Sequence, residues 1–226
     1  MRLRLSRASF TFNAASTLAA PCFWSNNLID KPFSESCVQN RAPILAVLRA
    51  LFADRSRVLE IGSGTGQHAV YFGAELPHLV WQTADVAPHH PGILAWLEEA
   101  ALANVLPPLT LDVNQPQWPA VRYDAVFSAN TLHIMSWPEV TRFFAGVEEV
   151  LEAGGVLAVY GPFNVNGTYT SESNARFDAW LKARDPASGI RDFEAVNALA
   201  IARGLVLQQD IAMPANNRTL VWHRAT

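Results

Sequence analysis

One stretch constrains the fold of this chain more than any other: Arg57-Val58-Leu59-Glu60-Ile61-Gly62-Ser63-Gly64-Thr65-Gly66-Gln67-His68. Val58, Leu59 and Ile61 suit a strand covered on both faces. Gly62, Gly64 and Gly66 let the backbone turn sharply and approach a ligand closely. A helix starting at Gln67 would aim its free N–H groups at whatever lies above the turn. A buried strand, a glycine turn and a helix in that order require a layered α/β domain.

The rest of the chain repeats the alternation. Pro43 is expected in the first turn of a helix reaching Phe52, with a lead-in segment over 30–41. A helix over 67–76 ends at Pro77. Residues 79–86 form a second strand ending at Asp85, and 93–103 a helix. Pro107 and Pro108 act as punctuation before a third strand over 109–113. Residues 123–130 form a fourth strand and 138–151 a helix stopped by Gly154-Gly155, as a C-cap glycine would. Residues 156–160 form a fifth strand. Two helices over 174–183 and 193–203 precede two final strands, 205–212 and 219–223, with a hairpin connection. The expected sheet is seven-stranded and mainly parallel, with helices on both faces and an antiparallel C-terminal strand.

At 226 residues, half of them hydrophobic and 16% charged, the chain has the composition of one globular domain with a sizeable core. The net charge of −3 offers no general attraction to nucleic acid or to an anionic membrane. No apolar run is long enough to span a bilayer. Cys22 and Cys37 have neither CxxC nor metal-pair spacing, so no metal site is expected and a cytoplasmic location is the default. Residues 1–29 lack acids and carry Arg2, Arg4 and Arg7. They are read as a flexible extension ahead of a domain over 30–226, with a targeting segment as the alternative.

The glycines discriminate among nucleotides. A dinucleotide turn has the pattern G-x-G-x-x-G, which needs glycine at position 67, where this chain has Gln. No Gly-Lys-Ser/Thr follows, so the turn is not a phosphate-binding Walker loop. The run Glu60-x-Gly62-x-Gly64-x-Gly66 resembles motif I of the class I S-adenosylmethionine (SAM)-dependent methyltransferases, and the Rossmann-like fold of those enzymes is what it implies. There the turn lies under the methionine part and ribose of the cofactor. Asp85 comes 19 positions after Gly66, where ribose hydroxyls are held in Rossmann-like sites, and a carboxylate can accept two of them. The resemblance implies that Asp112 caps the adenine amino group while the Val113 N–H donates to the ring. It gives Glu60 a supporting role near the cofactor ammonium or the glycine loop, with Ser63 in the turn itself. Arg41 is a candidate for the SAM carboxylate. Asp85 and Asp112 could instead serve only as caps, and Arg41 as a solvated charge.

Further segments narrow the resemblance. Asn40-Arg41-Ala42-Pro43, Ser63-Gly64-Thr65-Gly66-Gln67-His68, Ser128-Ala129-Asn130-Thr131-Leu132-His133, Tyr160-Gly161-Pro162-Phe163, Gly189-Ile190-Arg191-Asp192 and Met213-Pro214-Ala215-Asn216-Asn217 occur together. This set is similar to the methyltransferase-like family defined by domain of unknown function 938, over roughly residue 32 to the C-terminus. The resemblance implies SAM binding and supplies no substrate.

His133, just past the fourth strand, is the candidate general base, because its ordinary pKa suits neutral pH. Asn130 lies where cofactor and acceptor should meet. Tyr160 is a second candidate catalytic group. Asn164 and Tyr169 are candidates for the acceptor site, with Arg191, Asn216 and Asn217. Each has a packing or turn role as its alternative. The fourth strand ends in Ser128-Ala129-Asn130-Thr131, not in the Asn/Asp-Pro-Pro-aromatic motif of many nucleic-acid and protein methyltransferases. The expectation is N- or O-methylation of a small polar molecule, with no nucleic-acid or membrane partner. A catalytically silent SAM-binding or partner-binding protein is the alternative.

Overall fold

The computed structural model describes residues 31–226. The expected extension over 1–29 lies outside the described residues. In chain order the elements are α1 (Glu35–Leu51), β1 (Arg57–Ile61), α2 (Gln67–Glu75), β2 (Val80–Asp85), α3 (His90–Ala100), β3 (Val105–Thr110), β4 (Tyr123–Ala129), α4 (Trp137–Val150), β5 (Leu151–Gly161), β6 (Phe163–Asn164), α5 (Glu172–Arg184), β7 (Arg191–Asp192), α6 (Phe193–Ile201), β8 (Leu205–Met213) and β9 (Asn217–Arg224).

Seven strands form one sheet in the order β3-β2-β1-β4-β5-β9-β8. β1 to β5 are parallel, and β9 runs antiparallel to both β5 and β8. Helices cover both faces, as the alternation of β1 requires. Val58 packs with Ile44 and Leu48 of α1 and Phe72 of α2. Leu59 and Ile61 pack in the opposite layer, with Phe143, Phe144 and Val147 of α4 and Val196 of α6. The strand order reverses between β1 and β4, and ligands of open α/β sheets bind outside the carboxyl ends at such a point. The architecture is the Rossmann-like α/β fold that the sequence implied.

Three local expectations are corrected. α1 starts at Glu35, so Pro43 lies inside a 17-residue helix. The lead-in segment is therefore largely helical, and it brings Ser36, Gln39 and Asn40 over the strand ends. β3 contains Pro107 and Pro108 and stops at Thr110. The prolines are tolerated because β3 is an edge strand whose pairing with β2 is irregular there, and side chains replace missing ladder bonds. Gln82 Nε2 donates to Pro107 O at 2.7 Å and Thr83 Oγ1 to Leu106 O at 2.8 Å. Gly154 does not cap α4. The helix ends at Val150, and Gly154, at φ +73, sits in a register shift inside β5. β6 and β7 form a small separate parallel pair that sequence patterning did not suggest.

Candidate functional site

A cavity of about 540 Å³ opens above the switch point between β1 and β4, a size suited to a small ligand. Its walls come from residues 61–65 after β1, Asp85 and Val86 after β2, 111–113 beyond β3 and 129–131 after β4. The turn glycines do different jobs. Gly62 has φ +77, and a Cβ there would lie 2.8 Å from Thr131 Oγ1. Gly64 has φ +57, and a Cβ there would meet nothing within 4 Å, so this backbone faces open space. Gly66 is not a wall residue. It precedes α2 at φ +88, and a Cβ would come 3.1 Å from Ile93 Cα, so this glycine lets α2 pack against α3.

Asp85 ties the turn to β2. Its Oδ2 accepts from Gly64 N at 2.7 Å, and its Oδ1 from Val86 N at 2.7 Å and His89 Nδ1 at 2.8 Å. A carboxylate offers about four acceptor sites, so the arrangement leaves room for one further hydroxyl rather than the expected two. Asp112 and Val113 line the cavity as expected. Asp112 Oδ1 also accepts from Asn114 N at 2.9 Å, so the side chain caps its own turn while facing the cavity. Glu60 lies beneath the loop, outside the wall. It accepts from Ser63 Oγ at 2.9 Å and Trp81 Nε1 at 3.1 Å, and burial pushes its carboxyl up to about 7. Through Ser63 it is bonded to the glycine loop. Ser63 lines the cavity, and its Oγ also accepts from Ala84 N at 3.2 Å. Arg41 is not at the cavity wall: its guanidinium lies 4.6 Å over the Tyr71 ring, a cation–π contact.

His68 was not singled out by sequence reasoning, yet it lines this cavity. It is stacked on Phe72 at 5.2 Å, and its Nε2 lies 2.7 Å from Asn40 Oδ1. Burial, with the Arg41 charge, lowers its pKa to about 4.

A second cavity, of about 850 Å³, adjoins the first. α1, the loop after β4, the end of β5 and α5 enclose it, and Ser36, Asn130, Ile134 and Asp185 belong to both walls. Asn130 stands at the junction with φ +57, held by its N–H to Tyr160 O at 2.8 Å. His133 and Tyr160 line the larger cavity. The His133 ring sits edge-on to Phe177 at 5.2 Å, and burial with the Arg191 charge lowers its pKa to about 4. Burial raises the Tyr160 phenol above its ordinary value.

Four successive carbonyls hold the His133 loop. Leu132 O accepts from Arg191 Nε at 3.1 Å, His133 O from Gly189 N at 2.9 Å and Ile134 O from Ser188 Oγ at 2.7 Å, while Met135 O accepts from Arg191 Nη2. Arg191 is thus a clamp on backbone carbonyls, not a wall residue awaiting an anion. Tyr169 donates to Asp178 Oδ2 at 2.7 Å, and the same Asp178, 1% exposed, accepts from Lys182 Nζ and Ile190 N. That knot ties Tyr169 and the Ile190 backbone to α5 and leaves Tyr169 outside the cavity. Asn164 of β6 pairs with Asp192 of β7 and Asn216 bonds Ser173 Oγ at 3.1 Å, and neither lines the cavity. Asn217 does, although its Nδ2 is engaged by Pro214 O and Ala215 O. The wall of the larger cavity that sequence reasoning missed comes from Gln39, Asn40 and Pro43 of α1 and Phe177 and Trp180 of α5. The aromatics at i and i+3 were a legible signal; the α1 residues were hidden by the misplaced helix start.

Comparisons with known proteins agree with this geometry. A family model described as "Protein of unknown function (DUF938)" matches residues 31–224. Among solved structures, the chain is similar to an O-methyltransferase family protein from Burkholderia thailandensis, with TM-score 0.75 and 15% identity over 84% of this chain and 58% of that one. It is similar to an O-methyltransferase family 2 protein from Planctomyces limnophilus in complex with apigenin, with TM-score 0.74 and 15% identity over 84% and 58%. Human N-acetylserotonin methyltransferase in complex with SAM gives TM-score 0.70 and 14% identity over 85% and 53%. The chain spans little more than half the length of these proteins, and the likeness is one of fold.

Proposed function

From the premise that the chain belongs to the DUF938 family, we propose that it is a SAM-dependent methyltransferase acting by N- or O-methylation on a small polar molecule. One observation carries the reading. A cavity over a glycine turn, lined by Asp85 and Asp112, opens through Asn130 into a second cavity lined by His133 and Tyr160.

The residues present fit SAM. Gly64 exposes backbone to the smaller cavity, Asp85 has one acceptor site left for a hydroxyl, and Asp112 with Val113 offers an acceptor and a donor at the far wall. SAM supplies an electrophilic methyl group on a sulfonium. The chain's part is to hold the acceptor at the Asn130 junction and to exclude water, and positioning of that kind accounts for much of the rate in such a displacement. The SAM and apigenin complexes of the similar structures support the reading of one cavity for donor and one for acceptor.

The lowered pKa of His133 narrows the acceptor. An imidazole that protonates only at about 4 is neutral at pH 7 and a weak base, so it takes a proton only from an acidic group. Acceptors that need little deprotonation are favoured: a neutral nitrogen or an acidic hydroxyl. Neither cavity has a wall of cations, and among the described residues no helix is long and apolar enough to cross a membrane.

The test is transfer of label from radiolabelled SAM into a small-molecule extract. Labelled product with the wild-type chain and none with Gly64→Arg is the expected result. Absence of product at every concentration, from protein that does bind S-adenosylhomocysteine, counts for the non-catalytic alternative.

A further inference from the structure

Phe177, Trp180 and Arg184 recur at helical spacing along α5, and all three line the larger cavity. They continue a row that begins at the junction between the cavities. A Cβ on Gly161 would lie 3.7 Å from His133 Nδ1 and 3.9 Å from Asn130 Oδ1, so the His133 ring stands beside Asn130. Phe177 meets that ring edge-on at 5.2 Å, and Trp180 stacks on Phe177 at 5.8 Å with 17° between the planes. The Arg184 guanidinium lies 4.6 Å over the Trp180 ring and ends the row. Trp180 is 50% exposed, so this aromatic surface is open to a ligand in the cavity. The charges at the two ends are opposite. Arg184 lines the larger cavity alone, whereas Asp185, which ends α5 in extended conformation, belongs to both walls. The cations of α5 also differ. Arg176 pairs with Glu172 and Lys182 with Asp178, but Arg184 has no carboxylate partner among the described residues.

We propose that the methyl acceptor is a flat aromatic molecule with a carboxylate at the end remote from the methylated atom, and that Arg184 is the residue that selects the carboxylate. This rests on the methyltransferase reading and adds the acceptor's chemical class. The ring lies along Phe177 and Trp180, where aromatic contacts add to the area buried. The guanidinium is planar, weakly hydrated and already oriented on an indole, so it meets a carboxylate through two parallel N–H bonds at little cost in side-chain freedom. Asp185 repels the same carboxylate from the junction, so the molecule enters with its uncharged end toward the methyl donor. An aromatic ring also supplies the nucleophiles that a neutral His133 favours. A ring-bound amine is uncharged at pH 7, and a phenol gives up its proton more readily than an alkyl alcohol.

The experiment uses three probes of similar size: benzoate, its uncharged isostere benzamide, and cyclohexanecarboxylate, which keeps the charge and lacks the flat ring. Their affinities for the full chain saturated with S-adenosylhomocysteine are measured by NMR titration. Wild-type protein should prefer benzoate to benzamide by about fivefold, the worth of a partly exposed ion pair, and to cyclohexanecarboxylate by about threefold. Arg184→Gln should abolish the first preference and keep the second, while Trp180→Leu should abolish the second and keep the first. Asp185→Asn should raise the first preference, an effect that a merely structural role would not produce. Benzamide or cyclohexanecarboxylate binding as tightly as benzoate to wild type overturns the proposal. So does an Arg184→Gln chain that keeps the wild-type preference for benzoate, or no binding of any probe to the complex. Failure of wild-type protein to bind S-adenosylhomocysteine in the same samples instead overturns the methyltransferase reading.

Discussion

The two cavities are built by different means. The smaller one is local: Gly62, Gly64, Asp85 and Asp112 lie at or just beyond the ends of neighbouring parallel strands, and short bonds such as Gly64 N to the Asp85 carboxylate Oδ2 fix their relation. The larger one is assembled from afar. Its base candidate, His133, is held by carbonyl contacts from residues 188–191, more than 50 positions along the chain, and its roof comes from α1 and α5. A turn specified by the sheet can be broken by one backbone substitution. A loop strapped by tertiary bonds can be loosened while the turn keeps its shape.

Gly64→Arg should show the largest contrast. An L side chain at φ +57 is strained by about 1 kcal/mol or more, and its bulk enters the open space of the smaller cavity. S-adenosylhomocysteine binding should weaken on the order of 100-fold or more, with a melting temperature only modestly lower. A Gly64→Arg protein that binds normally would remove the turn from the cofactor site.

Acid titration separates the regions next. His68 and His133 have folded pKa values lowered to about 4, so between about 6.5 and 4 the unfolded chain binds protons that the folded chain does not. Stability is present above 6.5 and is lost as pH falls toward 4, on the order of 3 kcal/mol for each histidine. Glu60 acts in the opposite sense. Its folded pKa is raised to about 7, so stability is lost as pH rises from about 4.5 to 7. Two histidines outweigh one glutamate below 6.5, so denaturant midpoints should rise with pH there. Glu60→Gln should steepen that rise and His133→Gln should flatten it. Identical pH profiles in both variants would contradict the assigned burial.

Arg191→Ala should cost about 2 kcal/mol of stability, because Leu132 O and Met135 O lose a charged donor. It should also abolish most methyl transfer while leaving S-adenosylhomocysteine binding within about threefold. Tyr169→Phe, which removes one of several donors to Asp178, should cost about 1 kcal/mol and leave the acceptor cavity intact. Urea denaturation read together with product formation checks both, and loss of cofactor binding in Arg191→Ala would erase the distinction between the regions.

This contrast also explains what could be read from the sequence. The glycine turn, Asp85, Asp112 and the alternation of strands and helices were legible because each depends on neighbours within one strand–turn–helix unit. The start of α1 was not, because Pro43 reads locally as a first-turn residue, whereas it lies inside a longer helix held by the packing of Ile44, Leu45 and Leu48. β3 was displaced because Pro107 and Pro108 are tolerated only at an edge, and edge position is a property of the whole sheet. Arg191 and Tyr169 were expected to meet an acceptor, yet both bind protein groups: carbonyls at 132 and 135, and Asp178. Residue type marks them as polar and capable; only the fold shows that their donors are already engaged. The contact of His68 with Asn40 was not legible for the converse reason, since the two residues lie 28 positions apart in separate segments.

The central claim is that the β1–β4 switch point holds the cofactor and that the strapped loop serves the acceptor alone. Calorimetric titration of S-adenosylhomocysteine into the wild-type, Asp85→Ala and Arg191→Ala chains tests it most directly. The account predicts binding in the micromolar range for wild type, about −8 kcal/mol. It predicts at least about tenfold weaker binding for Asp85→Ala, which loses a charged acceptor and the support of Gly64, and near-wild-type affinity for Arg191→Ala. No heat with wild-type protein, or equal losses in the two variants, would contradict it.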